Sequence, residues 1–306
     1  MQRTVATTVA LTGRGLHTGA SVTVTLRAAG VGHGVWFRRT DVAEGDPMVP
    51  ALWDAVVPAE LCTRLVNADG VEVRTVEHLM AALAGCGIGN VLVEIDGPEV
   101  PILDGSSLPF VEAILAGGVR DQGVAGRVIE VLRPVEVRRG GALARLEPSD
   151  LPAIEFHIDF ADRAIGRQSR SMSVANGAFV RELCDSRTFC RMLDVEEMRS
   201  RGLALGGTFE NAIVVDGARV LTPGGLRRED EPVRHKMLDA LGDLALAGAP
   251  IVGRYVGVRA GHSLTNDLLR ALFARADAFR VRTCDAALAQ VLPGAGLVAH
   301  DLPAAA

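Results

Sequence analysis

Residues 77–83 read EHLMAAL, and residues 235–241 read HKMLDAL. Each segment follows strand-like sequence and leads into a glycine-containing turn and an apolar strand. Gly85 and Gly87 stand at the end of the first, and Gly248 at the end of the second, as helix C-termini favour. Ahead of the first, Ser21 to Leu26 alternates, with Val22, Val24 and Leu26 on one side and Thr23 and Thr25 on the other. A period of two marks a half-buried strand. Leu61 to Val66 and Asn90 to Ile95 are further strand candidates. Thr75 stands where it would cap a helix over Val76 to Ala84. Ser106 or Ser107 would cap a second helix, with Pro109 in its first turn. The other half offers strands at Val128 to Val137 and Ala153 to Phe160, a helix at Asp194 to Ser200, and a short apolar run at Ala212 to Val215. Pro232 suits the first turn of a long helix running to about Ala247. Strand Ile251 to Val258 follows, and Ser263 opens the last clear helix. The repeated order predicts a duplicated α+β unit. On these residues alone, two unrelated amphipathic helices remain the alternative.

The polar, glycine-containing stretch from Arg120 to Arg127 is the expected boundary. It gives an N-terminal α+β domain over 1–122, a C-terminal one over 127–285, and a weakly ordered tail over 286–306. With 306 residues, 48% of them hydrophobic, the chain has core enough for two domains of roughly 100–200 residues each. A formal net charge of −5 argues against a nucleic-acid-binding face, which needs a basic surface. It leaves room for a local basic pocket holding a phosphorylated ligand. Met1 to Thr12 alternates instead of forming the apolar core of a signal peptide. No run of about 20 apolar residues escapes charge, glycine or proline, so no transmembrane helix is expected. The five cysteines, Cys62, Cys86, Cys184, Cys190 and Cys284, are odd in number and form no CxxC pair. Reduced thiols in a cytoplasmic protein are the expectation.

The strongest chemical signal lies in the second of the paired segments. His235 and Asp239 stand at i and i+4, on one helix face, where imidazole and carboxylate can reach a single metal. Asp243 continues that face by one turn and could orient another histidine. A catalytic zinc site usually has three protein ligands and leaves a position for water. The candidate third ligand is His78, in the first paired segment, with Glu77 beside it. Zinc lowers the pKa of its bound water to about 7, and a neighbouring carboxylate is well placed to take the proton. Alone, the Glu-His pair is most often a solvated helix end and the His-x-x-x-Asp pair most often a surface ion pair or hydrogen bond, so neither by itself makes a metal site. His262 lies between a strand and a helix. A helix N-terminus disfavours an imidazolium, so a partner such as Asp243 would be needed to keep it charged.

Taken together, the motifs resemble one family over nearly the whole chain. They run GLHTG (15–19), RRTD (38–41), LCTRLVN (61–67), TVEHLMAALAGCGIGN (75–90), PILDGSSLPFV (101–111), IDF (158–160), SRTF (186–189), SRGLALGGTF (200–209), EDEPVRHKMLDALGDL (229–244) and GHSLTN (261–266). In this order they are similar to the UDP-3-O-acyl-N-acetylglucosamine deacetylases, the LpxC family. The resemblance implies two similar domains, each with helices packed on a β-sheet, and an active site between them. It implies zinc-dependent release of acetate from UDP-3-O-(3-hydroxyacyl)-N-acetylglucosamine, a step of lipid A biosynthesis. His78, His235 and Asp239 would bind Zn2+, and Glu77 would be the general base. His262, paired with Asp243, would stabilise the oxyanion. Thr188 would donate a hydrogen bond to the tetrahedral intermediate. Lys236 would reach the substrate diphosphate, Phe160 would stack on uracil, and Asp159 would accept its N–H groups. The expected partner is the small acylated UDP-sugar, with no nucleic acid, no integral membrane segment and a monomeric chain. Arg191 departs from the family, whose members carry phenylalanine there, which bears on acyl-chain preference. Another zinc amidase and a non-catalytic nucleotide-sugar-binding protein are the competing readings. Against a different hydrolase on the same site, such as a peptidase or another amidase, the first-half motif lacks the HExxH spacing of zinc peptidases, and Lys236, Asp159 and Phe160 suit a nucleotide. The second would show as the loss of Glu77, a metal ligand or His262, and all are present.

Overall fold

The structure, a computed structural model, describes residues 1–303. The period-two run becomes the strand Ser21–Ala28, with Val22, Val24 and Leu26 buried in alternation. It lies in a five-stranded sheet ordered Val9–Arg14, Ser21–Ala28, Val91–Ile95, Val35–Arg39, Met48–Pro50. The middle strand, Val91–Ile95, runs antiparallel to the second strand and parallel to the fourth. The second half builds a sheet of the same plan: Val135–Arg139, Ala142–Glu147, Arg254–Val258, Ala153–Asp159, Arg167–Ser173. Its middle strand is again antiparallel on one side and parallel on the other. In both halves four strands come first. A helix then carries the chain back, and the next strand inserts between the second and third. The duplicated α+β unit is thus a repeated topology.

The helices are α1 (Glu77–Gly85), α2 (Leu108–Gly117), α3 (Ala178–Glu182), α4 (Met192–Ser200), α5 (Glu231–Ala245), α6 (His262–Phe273) and α7 (Ala286–Ala289). The crossover helices α1 and α5 pack on each other, and of the nine residues of α1 only Ala84 is not buried. One hydrophobic cluster runs through both halves, from Val24 and Leu79 to Leu238, Leu268 and Phe156. A helix apolar on every side belongs inside, and the Leu-Met-Ala-Ala-Leu run of α1 also has high helix propensity. Gly242 allows the close approach, because a Cβ built there would lie 2.8 Å from the carbonyl carbon of Glu77 and 3.1 Å from its Cα.

Several local expectations are corrected. Thr75 does not cap α1. It takes a left-handed φ of +56° and its hydroxyl donates to buried Glu99 instead. Ser107 does stand at the N-cap position of α2, yet its hydroxyl donates to the His78 carbonyl. In both cases a buried tertiary acceptor takes the hydroxyl that a free helix end would use. The strand expected from Leu61 begins at Arg64, because Leu61 has φ +63°. The run Val128 to Val137 divides into Arg127–Val131 and Val135–Arg139 around Pro134, which has no N–H for a ladder.

The segment expected as a tail carries structure of its own over residues 286–303. There α7 is capped by Asp285, and Leu288 packs with Val128, Val252 and Cys284. The carbonyls of Leu292 and Pro293 accept from the N–H groups of Asn176 and Gly177. Ala289, Val291 and Leu292 pack against the same cluster. Residues 304–306 of that expectation lie outside the described residues.

Candidate active site

The two crossover helices bring the paired segments face to face. Donor atoms of His78 from α1 and of His235 and Asp239 from α5 all lie within 4.8 Å of one another, and all three residues are buried. The His78 Nε2 and His235 Nε2 atoms stand 3.6 and 3.3 Å from Asp239 Oδ1. Among the described residues that oxygen has no hydrogen-bond partner. A buried carboxylate oxygen left bare is costly, and a cation between it and two imidazoles would remove the cost. His235 is prepared for that task. Its Nδ1–H donates to the Ser186 carbonyl at 3.0 Å, which fixes the tautomer and leaves Nε2 as the free donor atom. Burial lowers its pKa to about 4, so the ring is neutral. Burial works against the charge of Asp239, but His235, Lys236 and His262 outweigh it and hold the carboxyl well below its usual range. Two imidazoles and a carboxylate suit a zinc-like ion.

Two further carboxylates flank the trio. Glu77 is buried, and burial raises its pKa. Its Oε2 accepts the backbone N–H of Thr63 at 3.0 Å, while Oε1 lies 3.8 Å from His262 Nε2. Asp243, on the face of α5 that carries Asp239, accepts His262 Nδ1–H at 2.9 Å through Oδ2 and the Thr63 hydroxyl at 2.6 Å through Oδ1. Burial alone would lower the pKa of His262. Asp243, Glu77 and Asp239 overcome it and raise the value to about 9. The arrangement therefore sets a carboxylate with one uncommitted oxygen beside an imidazolium, both next to a potential Lewis-acid site. That combination can accept and return protons.

The remaining expected residues lie at graded distances. Thr188 is half-buried and anchored through its backbone. Its N–H donates to Gly105 O at 2.7 Å, and its carbonyl accepts from Ile213. Among the described residues its hydroxyl makes no hydrogen bond, so it is free to donate. Lys236 is not free: its ammonium donates to Asp239 Oδ2 at 2.6 Å. Phe160 meets Phe189 edge-on at 5.3 Å between ring centroids, and Phe189 meets His235 at 6.2 Å, so an aromatic row leads to the trio. Asp159 ends its strand half-exposed and pairs with Arg167 at 3.2 Å. Arg191 turns its guanidinium onto Asp194, with two bonds of 2.7 Å, at the start of α4.

Sequence reasoning missed the supports. Thr63 touches both flanking carboxylates. Arg187 and Glu231 form a buried fork-to-carboxylate pair with bonds of 2.9 and 3.1 Å. Glu231 also accepts the backbone N–H groups of Arg187 and Arg227, so the first turn of α5 is tied to the segment carrying Ser186 and Thr188. Phe189 was legible only as part of SRTF. Glu231, in an acidic stretch before Pro232, reads as solvent-facing until the fold is known.

A family model described as UDP-3-O-acyl N-acetylglycosamine deacetylase matches residues 2–274. The UDP-3-O-acyl-N-acetylglucosamine deacetylase of Phenylobacterium zucineum is 49% identical over 291 residues, covering 95% of this chain and 99% of its own. The proteins of the same name from Shewanella halifaxensis and Pasteurella multocida are 45% and 46% identical, covering 92% and 93% of this chain and the same shares of their own. The chain belongs to the UDP-3-O-acyl-N-acetylglucosamine deacetylase family and is an enzyme, a hydrolase.

Proposed function

We propose that this enzyme hydrolyses the N-acetyl group of UDP-3-O-(3-hydroxyacyl)-N-acetylglucosamine with a zinc ion held by His78, His235 and Asp239, as a step of lipid A biosynthesis. The observation that carries the reading is the bare Asp239 Oδ1 between the imidazoles of His78 and His235, flanked by Glu77 and His262. Zinc would supply Lewis acidity, drawing charge from a carbonyl and making water nucleophilic near neutral pH.

The chain's own groups do the rest. Glu77 is the general base, and its free Oε1 takes a proton from the attacking water. Its raised pKa brings it nearer the operating pH, where a base is most effective. His262, kept protonated by Asp243, donates from Nε2 to the developing oxyanion. The Thr188 hydroxyl gives a second donor, and such preorganised donors are each worth about 3–4 kcal/mol in the transition state. The departing amine takes its proton from Glu77 or His262, leaving acetate and the 2-amino sugar nucleotide. Lys236 binds the diphosphate, which requires it to leave Asp239 Oδ2. Phe160 stacks on uracil, and Asp159 accepts the base N–H groups in place of Arg167. No helix among the described residues is long and apolar enough to cross a membrane. A monomer acting in the cytoplasm, with domains meeting between 122 and 127, completes the proposal.

The test is acetate release by metal-stripped protein, with and without added zinc, beside a Glu77→Ala control. Zinc-restored turnover that the control lacks establishes reaction and base together. Zinc bound at one ion per chain without turnover would redirect the assignment to another acylated amide.

A further inference from the structure

We propose that Thr63 is a positioning residue that sets the proton-handling carboxylates Glu77 and Asp243 in fixed register. The inference rests on the roles given above to Glu77, Asp243 and His262. Thr63 is buried, between buried Cys62 and the strand that starts at Arg64. Its backbone N–H takes Glu77 Oε2 at 3.0 Å, and its hydroxyl takes Asp243 Oδ1 at 2.6 Å. Its carbonyl accepts the N–H of Thr75 at 3.0 Å, which ties it to the turn entering α1. One residue of the first half thus holds one carboxylate from each crossover helix.

The consequence lies in which oxygens remain. With Oε2 of Glu77 occupied, Oε1 is the oxygen turned toward His262 Nε2, 3.8 Å away. With Oδ1 of Asp243 occupied, Oδ2 is the oxygen presented to His262 Nδ1 at 2.9 Å. A carboxylate pivots about its Cβ–Cγ bond with a broad, two-fold profile. Asp243 held at one oxygen only would swing, and His262, bonded to the other, would swing with it. The Nε2 of His262 would then lose its placement between Glu77 Oε1 and Asp239 Oδ2, each 3.8 Å distant. Thr63 is suited to the task because a β-branched side chain has few χ1 rotamers, so its hydroxyl direction follows from its backbone.

Thr63→Val removes the hydroxyl at nearly constant shape and keeps the N–H on Glu77, and Thr63→Ser keeps both. For a lost hydrogen bond to a charged group, kcat of Thr63→Val should fall by about ten- to a hundred-fold. KM and zinc content should stay as in the parent, and Thr63→Ser should recover most of the loss. In the background of Asp243→Asn the hydroxyl has lost its charged acceptor, so Thr63→Val should add little further loss. The idea is overturned by a Thr63→Val enzyme within two-fold of the parent, by a loss that multiplies in full with that of Asp243→Asn, or by a loss traced to missing zinc. A parent enzyme that proves inactive in the acetate assay would instead sink the functional reading on which this one stands.

Discussion

Gly242→Ala tests whether the site depends on how closely α1 and α5 approach. The new Cβ would fall 2.8 Å from the Glu77 carbonyl carbon and closer still to its oxygen. Carbon atoms in ordinary contact stand about 3.5 Å apart. The carbon alone therefore demands a parting of about 0.7 Å, and the oxygen brings it to about 1 Å. The neighbour is backbone within a buried helix, so no side chain can rotate away. The movement separates Glu77 and His78 from His235, Asp239 and Asp243, whose donor atoms now lie within 4.8 Å in the case of the metal trio. Overpacking of this kind costs about 1–3 kcal/mol, and a misplacement of 1 Å in a catalytic constellation costs about a hundred-fold in rate. The expected outcome is a folded protein with a lowered Tm, weakened zinc affinity, and kcat reduced by about that factor. Thermal unfolding, zinc competition against a chelating dye, and acetate release would be measured on one preparation. A variant with parental zinc affinity and parental kcat would refute the claim that helix proximity sets the site.

Two other expectations follow from the charges. A reaction that needs imidazolium at position 262 is fully supported below the raised pKa of His262, about 9, and fails as pH rises through it. Asp243→Asn removes the largest charge that raises this value, so the alkaline limb of the kcat profile should move to lower pH, and an unmoved limb would contradict the pairing. For the buried pair Arg187–Glu231, deleting one partner strands a charge, and Arg187→Met should destabilise by about 3–5 kcal/mol. Replacing both partners with Met should recover most of that loss in denaturant unfolding, since a buried pair offers little net stability over apolar packing. Failure of the double variant to recover would mean that the backbone N–H bonds to Glu231 matter more than the charge pair.

How much of this was legible beforehand depended on sequence distance. His235 and Asp239 share a helix face, a spacing that allowed a common metal but alone read as a surface ion pair. Ser21 to Leu26 declared its strand by period two and was found as read. Thr63 and Asp243 are 180 positions apart, and no local pattern in LCTRLVN or in HKMLDALGD signals that they touch. Thr75 failed as a cap for the same reason. Its partner, Glu99, enters from a segment that local reading leaves out of account, and a buried carboxylate attracts a hydroxyl more strongly than a helix end does. Gly242 reads as an ordinary small residue in a helix, a position where glycine costs about 1 kcal/mol relative to alanine. Its need appears only when the carbonyl of Glu77, in the other half of the chain, is set against it.

The duplication explains why the motifs were readable and their supports were not. Each copy of the unit supplies a crossover helix, but neither supplies a complete site. The first gives His78 and Glu77, and the second gives His235, Asp239 and Asp243. Ligands can be guessed from each helix separately, because their chemistry is written in residue type and i,i+4 spacing. The features that make five side chains into one site belong to the contact between copies: Gly242 against Glu77 and Thr63 against Asp243. It follows that substitutions at this contact should damage zinc affinity and proton transfer together, even where no ligand or proton-bearing group is changed. Substitutions on the outer faces of the two sheets should spare both.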